Sequence, residues 1–227
     1  MTMAYALEIA VLVLTLAFFS IAAYKKKALD FKGVIAGNVV GIIVFFQGGI
    51  ADFLVLVALF SMAVIATEFS RRKVSVKHEK RTTSNILGNS GAALIAVFFL
   101  NPIAFFGAAS TALADTLSSE IGLLSKTKPK LITSFREVEH GTNGGVTVLG
   151  TQASLVGAAV IAVLFLFFQG SATGALIVFA AGMIGSFADS VLGATIEEKG
   201  ILSNAGVNFF ACLLGALIAF SLNSVLL

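Results

Sequence analysis

Val146-Thr-Val-Leu-Gly-Thr-Gln-Ala-Ser-Leu-Val-Gly-Ala-Ala-Val-Ile-Ala-Val-Leu-Phe-Leu-Phe-Phe168 runs for 23 residues without a charge. A membrane-spanning helix needs about 20 predominantly apolar residues, so this stretch is long enough to cross a bilayer. Seven more mostly apolar segments lie around it, at 4–23, 33–49, 50–68, 86–100, 102–124, 173–195 and 205–226. The 227 residues are 58% hydrophobic and 12% charged, with a mean hydropathy of +1.00. Soluble domains carry about 25% charged residues, so too little polar side chain is present to coat a water-soluble globule. The expected fold is all-α, a polytopic membrane helix bundle of about eight transmembrane helices arranged as four hairpins. Eight spans use nearly the whole length, which predicts a single transmembrane domain over 1–227. Cys212 is the only cysteine, and a disulfide scaffold is excluded.

Orientation follows from the basic residues, because Lys and Arg accumulate in cytoplasmic loops. The links Tyr24–Lys32, Phe69–Ser84, Ser125–Gly145 and Ile196–Asn204 hold four, six, four and one of them, which is all 15 in the chain. These alternate links are predicted to be cytoplasmic, with both termini outside. A pI near 9.1 is therefore no sign of nucleic acid binding, and no nucleic acid partner is expected. The first segment lacks a basic leader and is followed by Lys25-Lys26-Lys27, so it reads as a retained helix and not a cleaved signal.

Each hairpin's second helix opens with Asn among small residues: Gly37-Asn38, Asn85 with Gly88-Asn89, Asn143-Gly144-Gly145 and Asn204-Ala205-Gly206. The third and fourth hairpins also match in their first helices, at Ala114-Asp115-Thr116 and Ala188-Asp189-Ser190. A carboxylate inside a membrane helix is costly and faces a bundle interior or a watery cavity. Asp115, Glu120 and Asp189 qualify. Asp115 shares a stripe with Ala108, Thr111, Ser118 and Gly122, and Asp189 shares one with Gly182, Ser186 and Gly193. Small residues let helix backbones approach closely. Two such stripes would bring Asp115 and Asp189 to one interface, with Thr116, Ser118, Ser119 and Ser190 nearby. Glu120 joins them only if the helix bends, since five residues turn a side chain about 140°. The plain alternative is that these acids are interhelical hydrogen-bond partners.

The link after the Asp115 helix supplies complementary charge. Lys126, Lys128, Lys130 and Arg136 precede the glycine-rich turn Gly141-Thr142-Asn143-Gly144-Gly145. Such a turn at a helix start offers backbone N–H groups and a positive dipole end to an anion. Basic side chains and carboxylates beside it suggest a phosphate held with Mg²⁺, an ion that bridges carboxylates and phosphates. Arg81, Asn85 and Asn89 in the second basic link and the helix after it, and Asn204 and Asn208 opening the last helix, are further candidates for touching a ligand. There is no GxxxxGK[ST] motif and no paired Cys/His metal motif.

Four motifs now stand in order: Ala114-Asp-Thr-Leu-Ser-Ser-Glu-Ile-Gly122, Gly141-Thr-Asn-Gly-Gly-Val-Thr147, Gly185-Ser-Phe-Ala-Asp-Ser-Val-Leu-Gly-Ala194 and Asn204–Asn208. The set resembles the integral-membrane family that includes plant phytyl-phosphate kinase and the vertebrate transmembrane-protein-19 type. The resemblance implies phosphoryl transfer to a prenyl monophosphate, giving the diphosphate. A more distant similarity to polyprenol kinases and CDP-diglyceride synthetases implies CTP as donor. On that reading Asp115 and Asp189, with Glu120, hold Mg²⁺, while Lys126, Lys128, Lys130, Arg136 and Gly141–Gly145 neutralise phosphate charge. Partners are then CTP, a prenyl monophosphate and the surrounding membrane lipids; association with a second copy is left open. Two alternatives stay open as well: cytidylyl transfer to a lipid phosphate, and a lipid transporter or flippase, for which intramembrane acids are also natural.

Overall fold

A computed structural model describes residues 3–25, 29–74, 83–99 and 101–226. Seven helical runs follow one another: α1 (Met3–Lys25), α2 (Phe31–Lys73), α3 (Thr83–Phe99), α4 (Pro102–Gly122), α5 (Val148–Gln169), α6 (Ala172–Leu192) and α7 (Asn204–Leu226). Among the described residues, five runs are long and apolar enough to cross a membrane, namely α1, α2, α5, α6 with its extension to Glu197, and α7. Large apolar side chains such as Leu14, Val163, Phe167 and Leu176 stand more than half exposed on outer faces. In water that surface would be a liability; in lipid it is the expected exterior. The architecture is an all-helical, multi-pass membrane bundle.

The 43-residue α2 is broken at Gly49, where φ is 82° and ψ −174°, a conformation that glycine adopts without steric penalty. The rings of Phe45 and Phe53 meet edge-on at 5.9 Å. A Cβ built on Gly41 would lie 3.4 Å from the Phe53 ring. In an unbroken helix residues 41 and 53 would be about 18 Å apart along the axis. The chain therefore folds back on itself at Gly49, where the sequence reading places a division between two segments. Past residue 68 the helix continues to Lys73, beyond the expected boundary. Arg72 on this extra turn reaches back one turn to Glu68 at 3.9 Å.

Polar caps set several helix ends. Asn101 Oδ1 accepts from Ala104 N–H ahead of Pro102, Thr147 Oγ1 from Gly150 N–H, and Ser171 Oγ from Gly174 N–H. Gly170, at φ 71°, closes α5.

The centre of the bundle is α4, which packs against α2, α3, α5, α6 and α7. From Ile103 to Leu117 every residue except Asp115 is buried. Small residues allow this crowding. A Cβ on Gly157 of α5 would lie 2.9 Å from Ala114 Cα, and one on Gly107 would lie 2.6 Å from the Gly215 carbonyl of α7. Gly185 of α6 and Gly215 both back onto Thr111. The small-residue stripe around Asp115 is thus an interface on several sides at once.

Two features depart from a simple helix-and-loop reading. The link after α4 is not a plain polar loop: it carries a two-stranded antiparallel sheet, β1 (Lys130–Leu131) and β2 (Gly145–Val146), pairing Lys130 with Val146 and Leu131 with Gly145. And α6 ends in a π-helical turn over Gly193–Glu197.

Candidate functional site

The C-terminal ends of α4 and α6 open onto a cavity of about 250 Å³, roofed by the sheet-bearing link and bordered by the start of α7. Asp115, Ser118 and Ser119 line it from α4, Asp189 and Ser190 from α6, Gly193 and Glu197 from the π turn, and Asn204 from α7. The link contributes Pro129, His140 and the whole turn Gly141-Thr142-Asn143-Gly144-Gly145, and the α5 cap contributes Thr147.

Asp115 and Asp189 come within hydrogen-bonding reach of each other, and Glu197 is near enough to interact electrostatically with Asp189. Asp189 Oδ2 is buried without a hydrogen-bond partner. The pair meets because α4 and α6 approach through Ser110 and Thr111 on one side and Gly182 and Gly185 on the other. Thr111 Oγ1 also donates to the Gly107 and Ala181 carbonyls, at 3.1 and 3.4 Å. Beyond Asp189, Ser154 of α5 donates to Ser186 at 3.2 Å, adding a third helix to the interface.

Local backbone rules shape the glycine turn. Gly141 and Gly144 have φ of 87° and 73°. At Gly144 a Cβ would meet the Ser190 carbonyl at 2.6 Å and Ala194 N at 2.7 Å, so the turn lies directly on the end of α6. Two of its amides close it on itself: Thr142 N–H donates to Glu139 O and Gly145 N–H to Thr142 O. The turn leads through β2 and the Thr147 cap into α5, which aims that helix's positive end toward the cavity.

Other candidates lie elsewhere. Glu120 accepts a 2.6 Å hydrogen bond at Oε1 from Thr67 of α2 and does not line the cavity. At an offset of about 140° around α4 from Asp115, Glu120 is not brought beside the Asp pair, contrary to the expectation that a bend would place it there. Lys126, Lys128, Lys130 and Arg136 are exposed on the link and none lines the cavity. Lys128 Nζ donates to Glu139 Oε1 at 2.8 Å. That hydrogen bond and the opposite charge hold the Glu139 carboxyl below its ordinary range and raise the Lys128 ammonium. Asn89 lines a second, largely apolar cavity of about 150 Å³ between α1, α2, α3 and α4, and Asn208 is buried on α7. Arg81 and the Asn85 side chain lie outside the described residues.

Glu197, His140 and Thr147 line the cavity without being singled out by the sequence reading. His140 Nδ1 is buried with no hydrogen-bond partner. Thr147 could have been found as a cap residue following the turn. Glu197 could not, because its placement depends on the π turn. Among the described residues, no three His, Cys, Asp or Glu side chains form a ready-made metal cage.

Fold and site together define an integral membrane protein with an acid-and-glycine cavity at one end of its helix bundle. Over residues 14–216 the chain matches the family described as integral membrane protein DUF92, and it belongs to that family. It is 33% identical over 226 residues to Uncharacterized membrane protein MJ0933 of Methanocaldococcus jannaschii, covering 96% of this chain and 95% of the relative. Protein PGR of Arabidopsis thaliana is 31% identical over 253 residues, covering 85% of this chain and 88% of that protein. Protein VTE6, chloroplastic, from the same plant is 27% identical over 221 residues, covering 88% and 66%. No solved structure matches the chain.

Proposed function

We propose that this protein is a lipid kinase that transfers a phosphoryl group from CTP to a prenyl monophosphate at the cytoplasmic membrane face. The observation that carries the reading is the single cavity in which the Asp115–Asp189 pair faces the turn Gly141–Gly145. The motifs that resemble the phytyl-phosphate kinase family supply most of its lining. An oxygen of the lipid phosphate attacks the γ-phosphorus, the bond to the β,γ-bridging oxygen breaks, and CDP leaves. Positioning and electrostatics provide most of the rate in such transfers. A prenyl phosphate is largely dianionic at neutral pH, since the second pKa of such groups is about 6, so no general base is needed.

Mg²⁺ suits this cavity. It is usually held by one or two carboxylates, with phosphate oxygens and water completing its shell. Two carboxylates as close as Asp115 and Asp189 repel unless a proton or a cation lies between them, and the unpartnered Asp189 Oδ2 offers a ligand atom. When bound, the ion neutralises charge on the nucleotide phosphates. Ser118, Ser119, Ser190, Thr142, Asn143 and Asn204 then have oxygens and amides to orient those phosphates. Lys126, Lys128, Lys130 and Arg136 sit outside and act on the approach of the anion rather than on the reacting atoms.

All four basic links belong to the cavity end of the bundle in this reading, with eight spans in four hairpins and both termini on the far side. Polarity concentrated at one end favours an enzyme over a transporter, which needs polar groups along a through-path. Purified protein is tested with geranylgeranyl or phytyl monophosphate and each nucleoside triphosphate in turn. The expected products are CDP and the prenyl diphosphate. Pyrophosphate release instead makes the protein a cytidylyltransferase, and lipid movement without nucleotide turnover makes it a flippase.

A further inference from the structure

Glu197 lies eight residues beyond Asp189 on the same helical run, yet both line the cavity. In a continuous α-helix that spacing turns a side chain about 80° away. Here the run is not continuous: within the π turn Gly193–Glu197, the Glu198 N–H reaches back five residues to the Gly193 carbonyl at 3.3 Å. A π turn holds one more residue than an α turn, which reduces the offset to about 20°. Side chains on a helix lean toward its N-terminus, so the Glu197 carboxylate reaches back toward Asp189. The turn is fixed in place by the glycine loop, since Gly193 and Ala194 pack directly on Gly144. A separate observation points to a ligand here: Asp189 Oδ2 is buried in the same lining without a hydrogen-bond partner.

We propose that the π turn makes Glu197 the third acid of the site, a positioning residue that acts by charge and through water on a divalent cation held by Asp115 and Asp189. The inference rests on the cation role given to that pair above. Mg²⁺ gives up its waters reluctantly, so much of its protein environment is reached through them. Partners in that outer layer are worth about 10- to 100-fold in metal affinity. A carboxylate about two turns along the helix and reaching back fits this layer better than direct ligation.

The test is Mn²⁺ binding to the full-length protein in detergent, followed by electron paramagnetic resonance of the free ion. Glu197→Gln is expected to weaken binding about tenfold. Glu197→Asp, which keeps the charge on a shorter arm, is expected to weaken it by less, though by more than twofold, and it decides the matter if the Gln variant fails to fold. Glu198→Gln, one residue on and exposed, is expected to stay within twofold of the native protein. Native-like affinity in both Glu197 variants overturns the role of Glu197 alone and leaves the Asp pair as the site. Absence of Mn²⁺ binding by the native protein overturns this inference together with the cation role of the pair, while the product assay still judges the kinase reading separately.

Discussion

A methyl group at residue 144 would collide with the Ser190 carbonyl and Ala194 N, in a backbone conformation that L side chains rarely adopt. Gly144→Ala is therefore expected to lift the turn off α6 and lower turnover at least tenfold, at a stability cost of about 1–3 kcal/mol. Turnover and thermal unfolding in detergent check the two effects separately. Asp115→Asn and Asp189→Asn should each reduce turnover by about two orders of magnitude or more, with the double variant little worse, because residues acting as a unit are not additive. Glu120→Gln, which touches Thr67 and not the cavity, should leave turnover within a few-fold of native. Near-full activity in both Asp variants would make the pair a packing contact. The meeting of the two acids was legible because small residues at helical spacing flank each one. Rotation by 140° and an unseen contact with Thr67 hid the true position of Glu120. The Lys128–Glu139 pair has its own pH window. The lowered Glu139 adds stability to the link that is lost as pH falls through its depressed pKa; the raised Lys128 adds stability that is lost as pH rises through its elevated one. Proteolytic cleavage within the link should thus be level across neutral pH and rise below the usual glutamate range and above the usual lysine range, modestly at both ends, since both groups are exposed.

Between elements, close approach decides. Gly157→Val would drive a branched side chain into Ala114, where a Cβ already lies 2.9 Å from both Cα and N. The expected loss is about 1–3 kcal/mol, read as a lower unfolding midpoint, and activity should fall with it as α4 shifts. Glycine-to-valine at Gly37, where a Cβ meets nothing within 4 Å, is the matched control and should cost far less. Much at this scale was readable: apolar length marks the helices, and Gln47-Gly48-Gly49 marks the reversal within α2. Two elements were not. The paired strands around Lys130 and Val146 are each two residues long, too short for an alternating pattern to register. The π turn leaves no period of its own in the sequence, and with it went the placement of Glu197.

For the molecule as a whole, the proposed topology places residues 128 and 169 on opposite sides of the membrane. Single cysteines introduced at Lys128 and Gln169 should react with an impermeant reagent from opposite faces; the native Cys212 is buried and should stay silent. Labelling of both from one face would end that topology. The position of α4 has a further consequence, for how such a chain is made. Among the described residues α4 is not one of the runs apolar enough to cross a membrane unaided, yet it is the most enclosed. Emerging from the ribosome before α5, α6 and α7, it meets the bilayer without the three neighbours that later shield Asp115 and its hydroxyls. Its integration must wait on theirs, so a nascent chain ending near residue 125 should fail to hold α4 across the membrane, and one extended through residue 226 should succeed. The acidic cavity, lined from α4, α6 and the start of α7, is then completed only as those later helices join α4.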